Sequence, residues 1–210
     1  MMAQAGFGSL DVAAGKYTCF YDTFAGGYGG RHASDGPDAV QAHGQNTENA
    51  PIEETELNYP VRIVGLSLVE NSDGPGMFRG GLGLRKDYLF DRHTTFTVLA
   101  DRDKAGPWGA FGGQSGLKAE YVVIRNGEEI RLNAKSTVEL EPGDIVSCRT
   151  CGGGGYGPAE ERDPERVVRD VREGKVSAER ARDIYRVAVD LSSGRAELDE
   201  AATLELRRTA

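Results

Sequence analysis

The chain has 210 residues and a formal net charge of −8, with 39% hydrophobic and 28% charged residues. That balance suits a soluble globular protein with a core of its own, and the negative charge argues against nucleic acid or an anionic membrane as the main partner. Three cysteines (Cys19, Cys148, Cys151) are too few for a disulfide framework, no apolar run approaches a membrane span, and residues 1–10 lack the basic residue and apolar core of a secretory signal, so a cytoplasmic location is expected.

Glycine punctuates the whole length. There are 29 glycines, about twice the usual share, clustered at 26–30, 74–83, 109–116 and 152–157. Segment 16–24 is aromatic and β-prone, and the first cluster ends it. Residues 31–58 are polar without a clear period and read as a long irregular loop or a loop with a short helix. Segments 61–70, 83–90 and 94–101 read as strands, with the second glycine cluster as a turn between the first two. Asn126-Gly127 marks a hairpin joining strands 121–125 and 129–132. Glu141-Pro142-Gly143-Asp144 marks a turn between 136–140 and 144–150.

After Pro158 the texture becomes helical. Asp163-Pro164 is an N-cap and first-turn pair, and Val167, Val168 and Val171 form a short apolar face that stops near Gly174. Ser177 opens a second helix with Ala181, Ile184, Tyr185 and Ala188 on one side, and the tail beyond Leu191 is either a third helix or frayed. The expected fold is α+β: a β-rich body over 1–157 with glycine-rich turns, and a helical C-terminal appendix over 158–210.

Several motifs carry chemistry only in part. Gly152-x-Gly154-x-x-Gly157 has a dinucleotide-loop spacing, but Pro158 follows where a helix must begin, so the run reads as a close backbone crossing or a cavity-lining loop. Cys148-x-x-Cys151 ends a strand and has no second pair, which favours two small residues packed under a glycine loop over metal or redox chemistry. His43, Gln45, Asn46, Thr47, Glu48 and Asn49 form a dense polar run, suited either to recognising an amide or carboxylate or to a capped turn network. Arg79, beside Gly80-Gly81, either clamps an anion or ties its turn to a nearby Asp; Asp101-Arg102-Asp103 at a strand end admits the same two roles. His32 and His93 stand alone. There is no nucleophile elbow, no His-Glu-x-x-His and no phosphate-loop lysine motif, so no catalytic residue is assigned and no metal is assigned to this chain.

The order of motifs resembles the C-terminal part of the hydantoinase B/oxoprolinase family, which is related to acetone and acetophenone carboxylase subunits. The resemblance runs through Tyr21-Asp22-Thr23-Phe24-Ala25-Gly26-Gly27, residues 43–51 (HGQNTENAP), residues 56–62 (ELNYPVR), residues 76–83 (GMFRGGLG), Gly112-Gly113, Glu141-Pro142-Gly143-Asp144 and residues 152–157. It extends into the appendix through Arg162-Asp163-Pro164, Asp170 and Ser177. Cys151 stands at what looks like a Pro position of the relatives.

The resemblance implies a subunit or fragment of an ATP-dependent hydantoinase/5-oxoprolinase-type cyclic amide hydrolase, inactive alone. A carboxylase subunit or a non-catalytic assembly module of such a complex is the alternative. It implies that this chain binds no cofactor itself, ATP and a divalent metal being held by partner chains. Those partners would be a hydantoinase A-like ATP-binding subunit and a chain with the metal-bearing N-terminal portion. His43, Asn46, Asn49 and Arg79 are then the expected substrate contacts.

Overall fold

The structure, a computed structural model, describes residues 2–11, 14–41 and 47–208. Two antiparallel sheets face each other. The first has the order β2-β1-β5-β8 and is built from β1 (Met2–Asp11), β2 (Lys16–Ala25), β5 (Thr94–Leu99) and β8 (Lys135–Leu140). The second has the order β3-β4-β9-β6-β7, from β3 (Val61–Leu68), β4 (Leu84–Phe90), β6 (Glu120–Arg125), β7 (Glu128–Leu132) and β9 (Ile145–Arg149). A short helix, α1 (Ile52–Asn58), precedes β3.

Alternation along the strands supplies the core. Ala3, Ala5, Phe7, Phe96 and Val98 of the first sheet meet Tyr88, Phe90, Tyr121, Val123 and Val146 of the second. Phe7 is the hinge of this packing, with its ring centroid 5.3 Å from Phe90 and 5.9 Å from Tyr88, both edge-on. A polar group crosses the core: buried Lys86 Nζ pairs with Asp22 Oδ2 at 2.5 Å, and Tyr88 Oη donates to the same oxygen at 2.7 Å. Cys148 is fully buried there, and burial pushes its thiol far above the ordinary range.

Strand β1 has no counterpart among the strands expected from the sequence. Its inward residues other than Phe7 are small (Ala3, Ala5, Ser9) and its outward ones include Gly6 and Gly8, so it lacks the β-branched signature of a strand. It nonetheless pairs on both edges, with β2 and β5, because tertiary pairing overrides weak propensity. The Asn126-Gly127 hairpin forms as expected, with φ of 53° and 82° at its two residues.

At one end of the sandwich the glycine clusters assemble into a bundle of extended segments. Residues 151–157 form its central rod. Gly27 N–H donates to Cys151 O at 2.9 Å, Gly30 N–H to Gly154 O at 2.8 Å, and Gly74 N–H to Gly153 O at 2.7 Å. The rod returns bonds from Gly152 to Leu117 O at 3.2 Å, from Gly153 to Gly81 O at 2.8 Å and from Gly155 to Gln114 O at 2.9 Å.

The rod's contacts rotate with period three. A Cβ added at Gly152 would overlap Ser72 O, at Gly153 Tyr28 O, at Gly154 Trp108 O, and at Gly155 Pro75 O, back on the segment Gly152 faces. That is the repeat of a polyproline II-type chain, whose backbone groups point outward to neighbours. A threefold rod enclosed on all sides has room for glycine alone. Segment 74–83, expected as a turn, bends at Gly76-Met77 and closes on itself through Gly80 N–H to Gly74 O at 2.9 Å; it and segment 109–116, which turns at Phe111-Gly112, both lie against this rod.

The C-terminal part adds α2 (Pro164–Arg172), α3 (Ala178–Asp183), the two-stranded β10 (Val189–Asp190) and β11 (Glu197–Leu198), and α4 (Glu200–Arg208). Asp163 caps α2 by accepting from Glu165 N–H at 3.0 Å, and Ser177 caps α3 by accepting from Arg180 N–H at 3.2 Å. Helix α3 stops earlier than its apolar pattern suggests: Arg186 takes a left-handed φ of 56°, and Tyr185 turns in to donate to buried Asp73 Oδ2 at 2.7 Å. These elements enclose their own apolar cluster, including Val167, Val168, Val176, Ala181, Tyr185 and Val187.

Candidate functional site

Where the glycine rod meets the loop 101–117, the surface opens into a cavity of about 420 Å3. One wall is backbone: Gly27, Tyr28, Gly29, Gly153 and Gly154, with buried Cys151 at the base. The opposite wall is Arg102, Pro107 and Trp108, and Val40 closes the side. The size falls within the range of small-molecule sites. A wall that is mostly glycine lets a ligand reach backbone amides and carbonyls directly.

The facing loop is held in unusual conformations. Arg102 has a φ of 66° and Phe111 of 52°, left-handed values that cost a non-glycine residue about 1–2 kcal/mol each. The surrounding bonds fix them: Ala119 N–H donates to Arg102 O at 2.8 Å, and the Phe111 ring lies 5.0 Å from that of Tyr156. Trp108, 74% exposed, lies under the Arg102 guanidinium, whose Cζ is 5.1 Å from the ring centroid. The Cys151 thiol is raised above its usual range by burial, with the nearby Arg102 charge opposing.

The polar run singled out in the sequence leaves from this rim. Val40 is a wall residue, and Gln41 is anchored by donating from Nε2 to Thr23 O at 3.1 Å. On the far side of the run Thr47 Oγ1 donates to Gln41 Oε1 at 2.6 Å, and Asn49 is exposed with no side-chain hydrogen bond to a described residue. His43 and Asn46 lie outside the described residues.

Arg79 is placed elsewhere. It is 4% exposed, and its guanidinium donates to Asp170 Oδ1 at 3.1 Å, Asp38 Oδ1 at 2.8 Å and Gly80 O at 2.9 Å. Asp170, on α2, also accepts from Arg162 Nη2 at 2.7 Å, and Arg162 in turn grips Asp35 at 2.6 and 2.9 Å. This buried network ties the appendix to the glycine bundle. Of the two roles the sequence allowed Arg79, the geometry realises the second, tying its turn to aspartates, and leaves no donor turned to a ligand. Burial opposes ionisation of Asp35 and Asp38, but the arginine bonds and charges outweigh it and hold both below the ordinary carboxylate range.

Among the described residues the cavity lining contains no carboxylate and no histidine. Among the same residues no three His, Cys, Asp or Glu side chains are grouped to hold a metal ion. His93 is exposed beside Glu139 and Glu141, and His32 sits edge-on to Tyr156, both on structural contacts. Tyr28, Val40 and Trp108 line the cavity without having stood out in the sequence as candidates; the aromatic residues set inside the glycine clusters were the available signal. No helix among the described residues is long and apolar enough to cross a membrane.

Comparison with known proteins places the chain. A family model described as hydantoinase B/oxoprolinase matches residues 1–159, and the chain belongs to that family. It is 36% identical over 98% of its length to the B-type subunit of a putative D-/L-hydantoinase of Pseudomonas sp. strain NS671, and 37% identical over 66% to 5-oxoprolinase 1 of Arabidopsis thaliana. An uncharacterized protein of Methanocaldococcus jannaschii is 41% identical over 85% of the chain. The chain spans 32% of the archaeal relative, 36% of the hydantoinase component and 11% of the plant enzyme. The structure of an ATP-dependent caprolactamase from Pseudomonas jessenii matches 97% of this chain with a TM-score of 0.78 and 27% identity, over 37% of its own length. An acetone carboxylase structure shares the fold over 99% of this chain, with a TM-score of 0.81 and 20% identity, over 32% of its own length.

Proposed function

We propose, from the chain's membership of the hydantoinase B/oxoprolinase family, that it is part of an ATP-dependent hydantoinase/5-oxoprolinase-type cyclic amide hydrolase. It supplies walls of the substrate cavity. ATP is bound and used by a hydantoinase A-like partner, and a divalent metal sits on a chain carrying the remainder of the B-type component. The observation that carries this reading is the cavity itself: a small-molecule-sized pocket with a largely backbone wall and Val40 in its lining, next in the chain to Gln41, which donates to Thr23 O and accepts from Thr47 Oγ1.

The lining supports binding without catalysis, which fits a chain that works only within a complex. Identity favours the amide branch: relatives named for hydantoin and 5-oxoproline stand at 36% and 37%, against 20% for the carboxylase structure. On this reading His43, Asn46 and Asn49 contact the substrate from the rim, offering paired donors and acceptors that match a ring amide. Arg79 acts as a positioning residue that fixes the bundle behind them.

The test is reconstitution with the partner chains and ATP, following ring opening of hydantoin and 5-oxoproline. Activity that requires this chain, and that falls about 10- to 100-fold in kcat/KM for Asn46→Ala and Asn49→Ala, is expected if each removes one hydrogen bond worth about 1.5–3 kcal/mol to the reacting ring. Full activity without the chain, or in both variants, removes the assignment.

A further inference from the structure

The cavity is built for an oxyanion. Arg102 is flanked by Asp101 and Asp103, yet both carboxylates are engaged elsewhere. Asp101 Oδ1 pairs with Lys135 Nζ at 2.7 Å, and Asp103 Oδ2 accepts from Ala134 N–H at 3.1 Å. The Arg102 guanidinium is left with no ion pair and no hydrogen bond to any described residue; its contact is the face of Trp108. A half-buried arginine on an aromatic platform, with five donors unused, is a ready site for a planar or tetrahedral oxyanion.

Backbone amides lie in the lining of the same cavity. Gly29 and Gly154 both line it, and neither amide donates to a described residue, although the amides on either side of Gly154 and those of Gly27, Tyr28 and Gly30 are all bonded. The wall thus carries unused donors from Arg102 and two glycines, with no carboxylate among the described lining residues to compete. Arg102 also borders a neighbouring hollow shared with Asp101, Asp103, Lys104 and Lys135, whose lining mixes both signs of charge.

We propose that Arg102, stacked on Trp108, together with the Gly29 and Gly154 amides, binds an oxyanionic group of a small molecule. Two groups share that chemistry: a carboxylate carried by the substrate, and a phosphoryl group on an ATP-activated intermediate. The proposal deepens the reading of this cavity as a substrate pocket by naming the group it grips, and it rests on that reading only for the identity of the small molecule.

Trp108 is the chain's single tryptophan, so its fluorescence reports directly on the site. The chain, alone and assembled with its partners, is titrated with 5-oxoproline, with 2-pyrrolidinone (the same lactam without a carboxylate), with inorganic phosphate, and with chloride at matched ionic strength. The expected result is a saturable change with at least one oxyanion and none with 2-pyrrolidinone or chloride. A response to 5-oxoproline alone assigns the substrate carboxylate; a response to phosphate alone assigns the phosphoryl group.

Arg102→Gln is expected to weaken the response about 10- to 100-fold, the loss of a charge-assisted bond. Arg102→Lys keeps the charge without the planar fork and should lie between. Circular dichroism and the melting midpoint check that both variants fold. A response that only tracks ionic strength, an unchanged response in Arg102→Gln, or an equal response to 2-pyrrolidinone overturns the site. Binding without ATP-dependent ring opening keeps the oxyanion site and removes the hydrolase reading. Ring opening without binding does the reverse.

Discussion

The sandwich and the glycine bundle are held together by opposite means. In the sandwich, Phe7, Phe90, Phe96 and Tyr121 exclude water with their side chains, and the strands are the scaffold that presents them. In the bundle, backbone packs on backbone: the rod 151–157 bonds to segments 27–30, 74–81 and 110–117, and each position of 152–155 meets a neighbouring chain segment where a Cβ would stand. The sandwich has room to adjust because rotamers can change. The bundle has none, because nothing between its segments is flexible. The candidate cavity opens on the rigid region, where backbone donors and acceptors are held in place.

That contrast predicts different sensitivities. The largest effect is expected at the clamp fixing the bundle to the appendix. Asp170→Ala leaves Arg79 and Arg162 as buried charges short of a partner and should cost about 3–5 kcal/mol in urea unfolding. A loss below about 1 kcal/mol, the level of an exposed pair, would show that the network is solvated.

Within the bundle, Gly153→Ala forces a methyl group against Tyr28 O and the neighbouring Gly29 amide. We expect a cost of about 1–3 kcal/mol or more, since only backbone can yield. Leu140→Met, at a fully buried sandwich position, should cost less than about 1.5 kcal/mol. Equal costs for the two would break the comparison. Gly143→Ala sharpens it: that turn glycine has open space around it but a φ of 95°, so the expected cost, about 1 kcal/mol, is purely conformational.

Acid should act on the clamp through Asp35 and Asp38. Asp35 and Asp38 are lowered in the folded state, so their contribution is present above the unfolded carboxylate value, about 3.9, and is lost as pH falls through the folded values. Asp73 has the opposite sign. Its desolvation outweighs Arg180 and Tyr185 and raises it, so acidification through its folded value relieves a cost. Asp73→Asn should therefore steepen the net loss of stability on acidification, read as the urea midpoint between pH 6 and about pH 3. An unchanged slope would mean that Asp73 titrates as it does in the unfolded chain.

The sandwich was largely legible in the sequence. Strands β3 to β9 announce themselves by alternation, and Asn126-Gly127 and Pro142-Gly143 fix two of the connections between them. Strand β1 was hidden because alternating Ala and Gly carry little β signal. The bundle was legible only as a position. Glycine says that the backbone is unusual, not whether it turns or runs straight against a neighbour, and here 152–155 runs straight while 74–83 and 109–116 bend. The clamp was out of reach for a different reason: Arg79 finds its aspartates 41 and 91 residues away, a pairing set by the fold alone. The cavity shared that fate, since Val40, the Arg102–Trp108 loop and Gly154 come from three separate stretches of the chain.

The account stands on the bare-backbone wall being where the small molecule sits. The direct measurement is a structure of the assembled complex with 5-oxoproline bound. The expected result is the ligand against Gly27–Gly29 and Gly153–Gly154, with its carboxylate or an attached phosphoryl group on Arg102. A ligand bound with none of these residues in contact would contradict it.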